Sequence, residues 1–193
     1  MFTGIIEQLG ELKNKVIDGG NVHFTIESGF THELKIDQSV AHNGCCLTVV
    51  AIQDNEYRVT AIQETLEKTN LNSWGIGSKI NLERCLPFNG RLDGHIVQGH
   101  VDTVGICTEI EDQNGSWKFR FTYNSADLTV EKGSIAVNGT SLTVVDSTQN
   151  SFSVCIIPYT YEFTNFHSLQ VGDQVNLEFD IIGKYVAKWM ATK

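Results

Sequence analysis

Apolar and polar residues alternate in short runs along most of the chain. "NVHFTIE" (21–27), "QSVAH" (38–42), "CLTVVAI" (46–52) and "EYRVTAI" (56–62) are rich in β-branched residues and separated by turn formers, the pattern of strands. "WKFRFTY", "SIAVN", "SLTVVDS" and "FSVCII" answer them between 117 and 157. About six strands at 8–12-residue spacing in each half of ~90 residues predict a small antiparallel barrel or sandwich. "ETLEKTNL" and its echo "YTYEFTNF" predict a turn of helix between strands, and "FTHELK" and "SADLTVEK" predict another in each half. The tail, "DIIGKYVAKWMATK", changes period: Ile182, Val186 and Trp189 recur at helical spacing, with Lys184, Lys188 and Lys193 elsewhere on the wheel. A helix that short is marginal alone, so its stripe needs an apolar partner, either its own barrel or a neighbouring subunit.

One offset relates the two halves. Adding 95 carries Gly4 to Gly99, Gly10 to Gly105, Phe24 to Phe119, Ser39 to Ser134 and Asn43-Gly44 to Asn138-Gly139. The register continues, without a gap, through Thr65 and Thr160 and Thr69-Asn70 and Thr164-Asn165 to "NLE" at 81–83 and 176–178. Self-similarity of this length means two copies of a whole domain, not a short-period solenoid. The expected units are 1–94, 95–180 and a tail helix at 181–193, the copies joining near 86–95 through the turn-rich "LPFNGRLDGH".

Candidate chemistry enters with a phrase written twice, "HNGCCLTVV" at 42–50 and "VNGTSLTVV" at 137–145. Asn-Gly tolerates positive φ at both positions, so a tight turn precedes each strand. Alternation puts Cys45, Leu47 and Val49 on one face and Cys46, Thr48 and Val50 on the other; the second copy sets Thr140, Leu142 and Val144 against Ser141, Thr143 and Val145. The Leu-Val face is the expected core. The opposite face keeps a thiol or hydroxyl beside a threonine in both copies, which suits a small-molecule pocket. Elsewhere the copies differ: His100 replaces Ile5, Val97 replaces Phe2, Lys132 faces Asp37 and Asp180 faces Cys85. Related pockets with different polar equipment suit a protein that binds two similar molecules and treats them differently.

Charge and composition narrow the classes. The net charge is −9 and the Lys and Arg residues form no basic stripe, which argues against phosphate-tracking nucleic-acid binding. The amino terminus lacks the cationic flank of a signal peptide, and no apolar run approaches the ~20 residues that span a bilayer, so a soluble cytoplasmic protein is expected. Five cysteines without a C-x-x-C argue against a disulfide framework or zinc site; Cys85, Cys107 and Cys155 are expected as reduced, small apolar residues. His95 and His100 fall on opposite faces of an expected strand, which argues against shared metal ligation.

"MFTGI", "SVAHNGCCLTV", "ETLEKTNL", "GHIVQGH", "KGSIAVNGTSLTVV" and the final "NLE" together resemble the riboflavin synthase alpha-chain family over essentially the whole chain. The resemblance implies an all-β fold: two similar six-stranded antiparallel Greek-key barrels in tandem, plus a C-terminal α-helix that assembles a homotrimer. It implies a transferase reaction, the dismutation of two molecules of 6,7-dimethyl-8-ribityllumazine. One gives a four-carbon unit to the other, yielding riboflavin and 5-amino-6-ribitylamino-pyrimidinedione in the last step of riboflavin biosynthesis, with no metal or organic cofactor. Each active site is implied to lie between the amino-terminal barrel of one subunit and the carboxy-terminal barrel of its neighbour.

The implied catalytic residues are Ser39, Cys46, His100 and Ser141. His100 is the candidate for proton handling, because an imidazole titrates nearest neutral pH. The other three would position or activate the nucleophile that adds to the ring. Thr48, Thr65, Thr143 and Thr160 would hydrogen-bond the polar edges of the ring or the ribityl chain, and the backbone of Ala61, Gln63 and Ile157 would complete a ring clamp. Phe2 would pack near the ring, while Lys132 and Asp180 would tune charge. The expected partners are the lumazine and further copies of the chain, with association with lumazine synthase left open and neither nucleic acid nor membrane expected. Two positions depart from the family pattern: Tyr161 stands where a Leu is common, and Asp93 where a glycine is usual before "GH".

Two other readings compete. A non-catalytic antenna of the lumazine-protein class tends to lose the polar motif in one barrel, whereas "NGCCLTV", "GHIVQGH" and "NGTSLTV" are all intact. A flavin-binding electron-transfer barrel would be accompanied by a nicotinamide-binding fingerprint, and the chain has no G-x-G-x-x-G after a strand.

Overall fold

The alternating runs become strands at nearly the positions their patterning assigns. In the computed structural model, which describes residues 1–192, the first half forms β1 (Gln8–Asp18), β2 (Asn21–Glu27), β3 (Ser39–His42), β4 (Cys45–Gln53), β5 (Glu56–Ala61), helix α1 (Gln63–Lys68) and β6 (Lys79–Arg84). The second half repeats the series as β7 (Thr103–Asp112), β8 (Trp117–Tyr123), β9 (Ser134–Val137), β10 (Thr140–Val145), β11 (Ser151–Ile156), α2 (Pro158–Phe163) and β12 (Gln174–Phe179). Helix α3 (Ile181–Met190) follows, and Lys193, the last residue of the expected tail, lies outside the described residues. Each set closes into a six-stranded antiparallel barrel, in the order β1-β2-β5-β4-β3-β6 and β7-β8-β11-β10-β9-β12. The jump from β2 to β5 and the return from β3 to β6 give Greek-key connectivity. The long strands β1 and β7 bulge at equivalent places, between Leu12 and Asn14 and between Cys107 and Glu109. Each bulge bends its strand so that it pairs with a neighbour on both sides.

Inward faces make one core per barrel. Phe24, Ile26, Val40, Leu47, Val59 and Leu82 fill the first; Phe119, Phe121, Val144, Phe152, Val154 and Leu177 fill the second. On β4 the Cys45-Leu47-Val49 side is buried, while Thr48 and Val50 face outward, as alternation requires. The adjacent cysteines therefore divide: Cys45 fills the core and Cys46 lies on the outer face. Tyr161 has a matched partner, since it stacks on Trp117 with ring centroids 3.7 Å apart. These two aromatics stand where the first barrel has Leu66 and Val22.

Several expectations change. "SADLTVEK" forms no helix, because side-chain bonds compete for it: Ser125 Oγ donates locally to the Asp127 carboxylate, and the Thr129 hydroxyl bonds that of the distant Ser147 at 2.7 Å. Its counterpart "FTHELK" keeps a single 3-10 turn at Thr31–Glu33. Cys107 is buried, but Cys85 and Cys155 are exposed rather than packed as apolar residues. Strand parity explains Cys155, which sits between the inward-facing Val154 and Ile156. The segment from His95 to His100 is no strand: it makes one isolated bridge, Phe2↔Val97, and turns at Gly99 with φ +82°. The opposite-face argument for its two histidines therefore lapses. Among the described residues no three His, Cys, Asp or Glu side chains converge as a metal site, and no helix is long and apolar enough to cross a membrane.

The first core holds a polar pair that the second lacks. His42 Nε2 and the Tyr57 hydroxyl lie 2.8 Å apart, both side chains fully buried; their counterparts are Val137 and Phe152. Burial pushes His42 down to about 4. The unfolded chain binds this proton near pH 6.5, whereas the native state refuses it until about pH 4. The contribution is therefore fully present above the unfolded value and is lost as pH falls through that window, by roughly 3 kcal/mol in all. Copying the second barrel with His42→Val and Tyr57→Phe is expected to flatten stability between about pH 4 and 6.5, read by urea unfolding at a series of pH values. An unchanged slope would count against a neutral, buried His42.

Candidate functional site

The two Asn-Gly turns meet face to face where the barrels touch. Asn43 and Asn138 sit at φ 46° and 45°, and a Cβ on Gly44 would stand 2.8 Å from the Gly139 nitrogen. Only glycine lets the two backbones approach this closely. Buried asparagines surround the contact. Asn81 Nδ2 donates to the Asn138 carbonyl (2.9 Å) and to Asn165 Oδ1 (3.0 Å), and Asn81 Oδ1 accepts from the Asn165 N–H (2.8 Å). Reciprocally, Asn176 Nδ2 donates to the Asn43 carbonyl (2.9 Å) and Asn176 Oδ1 accepts from the Asn70 N–H (2.7 Å). Each of these bonds joins one barrel to the other.

A second exchange runs through the residues ahead of β1 and β7. Glu83 accepts from the Thr3 N–H (2.6 Å), the Thr3 hydroxyl (2.8 Å) and the Gly4 N–H (2.9 Å). Glu178 accepts from the N–H groups of Gln98, Gly99 and His100 at 2.6, 2.9 and 2.9 Å. Burial raises both carboxyls above their ordinary value, and these donors oppose the rise. Each latched segment offers a glycine carbonyl to the other barrel: Gly4 O accepts from the Ser141 N–H (2.7 Å) and Gly99 O from the Cys46 N–H (2.9 Å). Phe2, Val97, Ala41 and Ala136 fill the space between.

These contacts fix the outer faces. The register sets Ser39 opposite Thr48 and Ala41 opposite both Cys46 and Glu83, so Ser39, Cys46, Thr48 and Glu83 share one face of the first barrel. Ser134, Ser141, Thr143 and Glu178 share the matching face of the second. Burial raises the Cys46 thiol, and a bond from the Ser39 side chain only partly offsets it, so Cys46 is a neutral thiol near pH 7. Ser141 has a different partner, the buried His95, whose Nδ1 lies 2.6 Å from Ser141 Oγ. Burial lowers the His95 pKa, opposed by the charge of Asp180. A cavity of about 670 Å³ opens beside the first face, its lining including Thr3, Ser39, Glu83, Cys85 and Arg91.

The other expected residues spread around these faces. Pairing of β4 with β5 starts at Val49↔Val59, which leaves Thr48 on one lip of a parting and Ala61 and Gln63 on the other. Pairing of β10 with β11 starts at Val144↔Val154, with Thr143 and Ile157 on the corresponding lips. Thr65 lies in α1 and Thr160 in α2. His100 has an exposed side chain, next to the glycine that docks Cys46, whereas Ile5 follows the glycine that docks Ser141. Phe2 is buried between the barrels, Lys132 is exposed, and Asp180 caps α3 by accepting from the Ile182 N–H (3.0 Å). The sequence reading missed Glu83, Glu178, the asparagines and His95. The repeat itself marks all but the last, because 81–83 and 176–178 are its "NLE" phrases and Asn43, Asn70 and Asn81 recur at 138, 165 and 176.

Removing a buried amide that bridges the barrels strands its partners, at about 1–3 kcal/mol per unsatisfied group. Asn81→Ala is expected to lower unfolding stability by roughly 2–4 kcal/mol in denaturant titration. A loss below about 1 kcal/mol would show that the seam does not depend on these amides.

Residues 3–85 and 98–180 match the family model described as lumazine binding domain, two intervals that take in each barrel with its latch. The chain is 39% identical over 196 residues to riboflavin synthase of Actinobacillus pleuropneumoniae, covering 100% of this chain and 91% of the relative. It is 37% identical to riboflavin synthase of Bacillus subtilis, covering 98% of this chain and 90% of that one. For riboflavin synthase of Mycobacterium tuberculosis the identity is 39%, covering 98% of both chains. The solved structure of LumP complexed with 6,7-dimethyl-8-(1'-D-ribityl)lumazine shares the fold, with a TM-score of 0.85 and 23% identity over 93% of this chain and 99% of that chain.

Proposed function

The chain belongs to the riboflavin synthase family and is an enzyme of that family, and from that premise we propose how its barrels divide the work. The reaction is the dismutation of two 6,7-dimethyl-8-ribityllumazine molecules by four-carbon transfer, giving riboflavin and a ribitylamino-pyrimidinedione. Two identical substrates call for two related pockets, and unequal roles call for those pockets to differ. The observation that carries this reading is the pair of matched outer faces: Thr48 and Thr143 are retained, while Cys46 with Ser39 on one face becomes Ser141 with His95 on the other.

Each face takes one lumazine. Thr48 and Thr143, with Thr65 and Thr160 from the short helices, bond its polar edges, and the backbone of Ala61, Gln63 and Ile157 forms the opposite lip. One lumazine loses a proton from its ring methyl, and the other accepts a nucleophile at the adjacent ring carbon. His100 handles the proton, while Ser39, Cys46 and Ser141 position the adding group. Neutral thiol and hydroxyl groups do this as hydrogen-bond partners, not as anions. The units are 1–94 and 95–180, each latched by its own glutamate and offering its glycine carbonyl to the other.

The same reading makes the enzyme a cytoplasmic homotrimer held by α3. Asp180 caps this helix, and Lys184 Nζ holds it to the second barrel through Asp102 at 2.7 Å. No residue of α3 is buried, and Ile182 and Val186 stay 63% and 49% exposed, so the helix does not bury its stripe on its own barrel. Burying such side chains between subunits stabilises by roughly 1.5–3 kcal/mol each. The reacting pair then forms where an amino-terminal barrel of one subunit faces a carboxy-terminal barrel of another.

Incubating the purified chain with the lumazine should produce riboflavin absorbance, with two lumazines consumed per riboflavin. Stoichiometric binding without riboflavin would make the protein an antenna. Ending the chain at Ile181 is expected to leave folded monomers that bind the lumazine but turn over about 100-fold more slowly or worse. A truncated monomer by sedimentation with full turnover would refute the intersubunit site.

A further inference from the structure

His95 lies in the segment that joins the two barrels, just ahead of the latch held by Glu178. Its ring makes a short side-chain contact at the second face, 2.6 Å from Nδ1 to Ser141 Oγ. We propose that His95 is the positioning residue of the second barrel, holding the Ser141 hydroxyl in one orientation toward the bound lumazine. The inference rests on the riboflavin synthase reading and deepens it: the two sites differ because only one hydroxyl is steered by an imidazole.

The surrounding backbone leaves the pair little freedom. The His95 N–H donates to the Thr3 carbonyl at 3.1 Å, and the Ser141 N–H donates to Gly4, so both residues hang from the same latch. A Cβ on Gly94 would stand 2.8 Å from Ser141 Cβ, which shows how closely the chain before His95 is pressed on the serine. His95 is 9% exposed, and its Nε2 is buried with no hydrogen-bond partner. That orphan selects the tautomer. A proton on Nε2 would strand a buried N–H donor, whereas a proton on Nδ1 strands only a lone pair, the lesser penalty. Nδ1–H therefore donates to Ser141 Oγ, and the Ser141 O–H is left to donate outward, polarised by the bond it receives. On the first face the equivalent position is the Cys46 thiol, a weaker donor bonded to Ser39. One lumazine then meets a steered hydroxyl donor, and the other meets a thiol.

The test uses full-length protein and steady-state turnover of 6,7-dimethyl-8-ribityllumazine. His95→Asn can place an amide N–H where Nδ1–H stood, whereas His95→Gln keeps a polar side chain but misplaces the donor. His95→Gln is expected to lower kcat about tenfold with KM little changed, and His95→Asn to stay within about threefold of the parent. The His95→Gln/Ser141→Ala double variant should be no slower than Ser141→Ala alone, because both changes remove the same donor. Equal rates for the Asn and Gln variants, or multiplying losses in the double variant, would overturn the inference. Should His95→Gln fail to fold, the threefold limit on His95→Asn decides alone. A parent protein that makes no riboflavin would overturn the enzymatic reading and this one with it; a parent that turns over, slowed by Ser141→Ala but not by His95→Gln, would overturn only this one.

Discussion

A primary amide buried at the seam between two barrels must find its partners in that seam. Asn81, Asn165 and Asn176 find theirs across it, on each other's barrel and on Asn43 and Asn138, and the Asn70 Nδ2 donates across it to the Gln174 carbonyl. Either barrel alone would present these groups to water, and a shifted pairing would bury them unsatisfied at about 1–3 kcal/mol each. The relative placement of the barrels follows from that constraint. It presses the two Asn-Gly turns together, and those turns start β4 and β10. Cys46 and Ser141 thus stand two residues beyond Gly44 and Gly139, where the latched Gly99 and Gly4 carbonyls accept their N–H groups.

A symmetric scaffold here makes two unequal sites, because the segment connecting the barrels bonds to Ser141. The latch of the second half is preceded by the segment that connects the barrels, and that segment runs over the second face. Gly94 and His95 press on Ser141, whereas Cys46 is bonded to the Ser39 side chain. The first face has Ser39 and, past the end of β6, Cys85; the second has His95 and Asp180. Duplication supplied the shared threonines and barrel walls. The linker and a few substitutions supplied the chemical difference.

Period-2 patterning located β2 and β8 to the residue, because their inward faces are unbroken and their ends are turns. The repeat fixed the twofold architecture and the outward face of Cys46 and Ser141. Other features were hidden for physical reasons. The asparagine bonds join residues 57 to 133 positions apart, so no local pattern announces them, and a buried Asn reads in sequence like a turn residue. "HIVQGH" alternates like a strand, yet Glu178 collects three consecutive N–H groups from it, which no ladder permits. That misreading placed His95 and His100 on a shared strand and obscured the contact of His95 with Ser141. Helix α3 is tied to the second barrel through Lys184 and Asp102 and buries none of its residues, so its apolar spacing was legible in the sequence but the use of that stripe was not.

The central claim is that one duplicated frame builds two homologous but unequal sites. A ribityllumazine without ring methyl groups cannot form the carbanion that starts the reaction, so it can be titrated into the intact protein at equilibrium. Fluorescence titration is predicted to show two ligands per chain with dissociation constants at least about tenfold apart, a difference of one good hydrogen bond. Two ligands per chain bound with a single affinity would contradict the account.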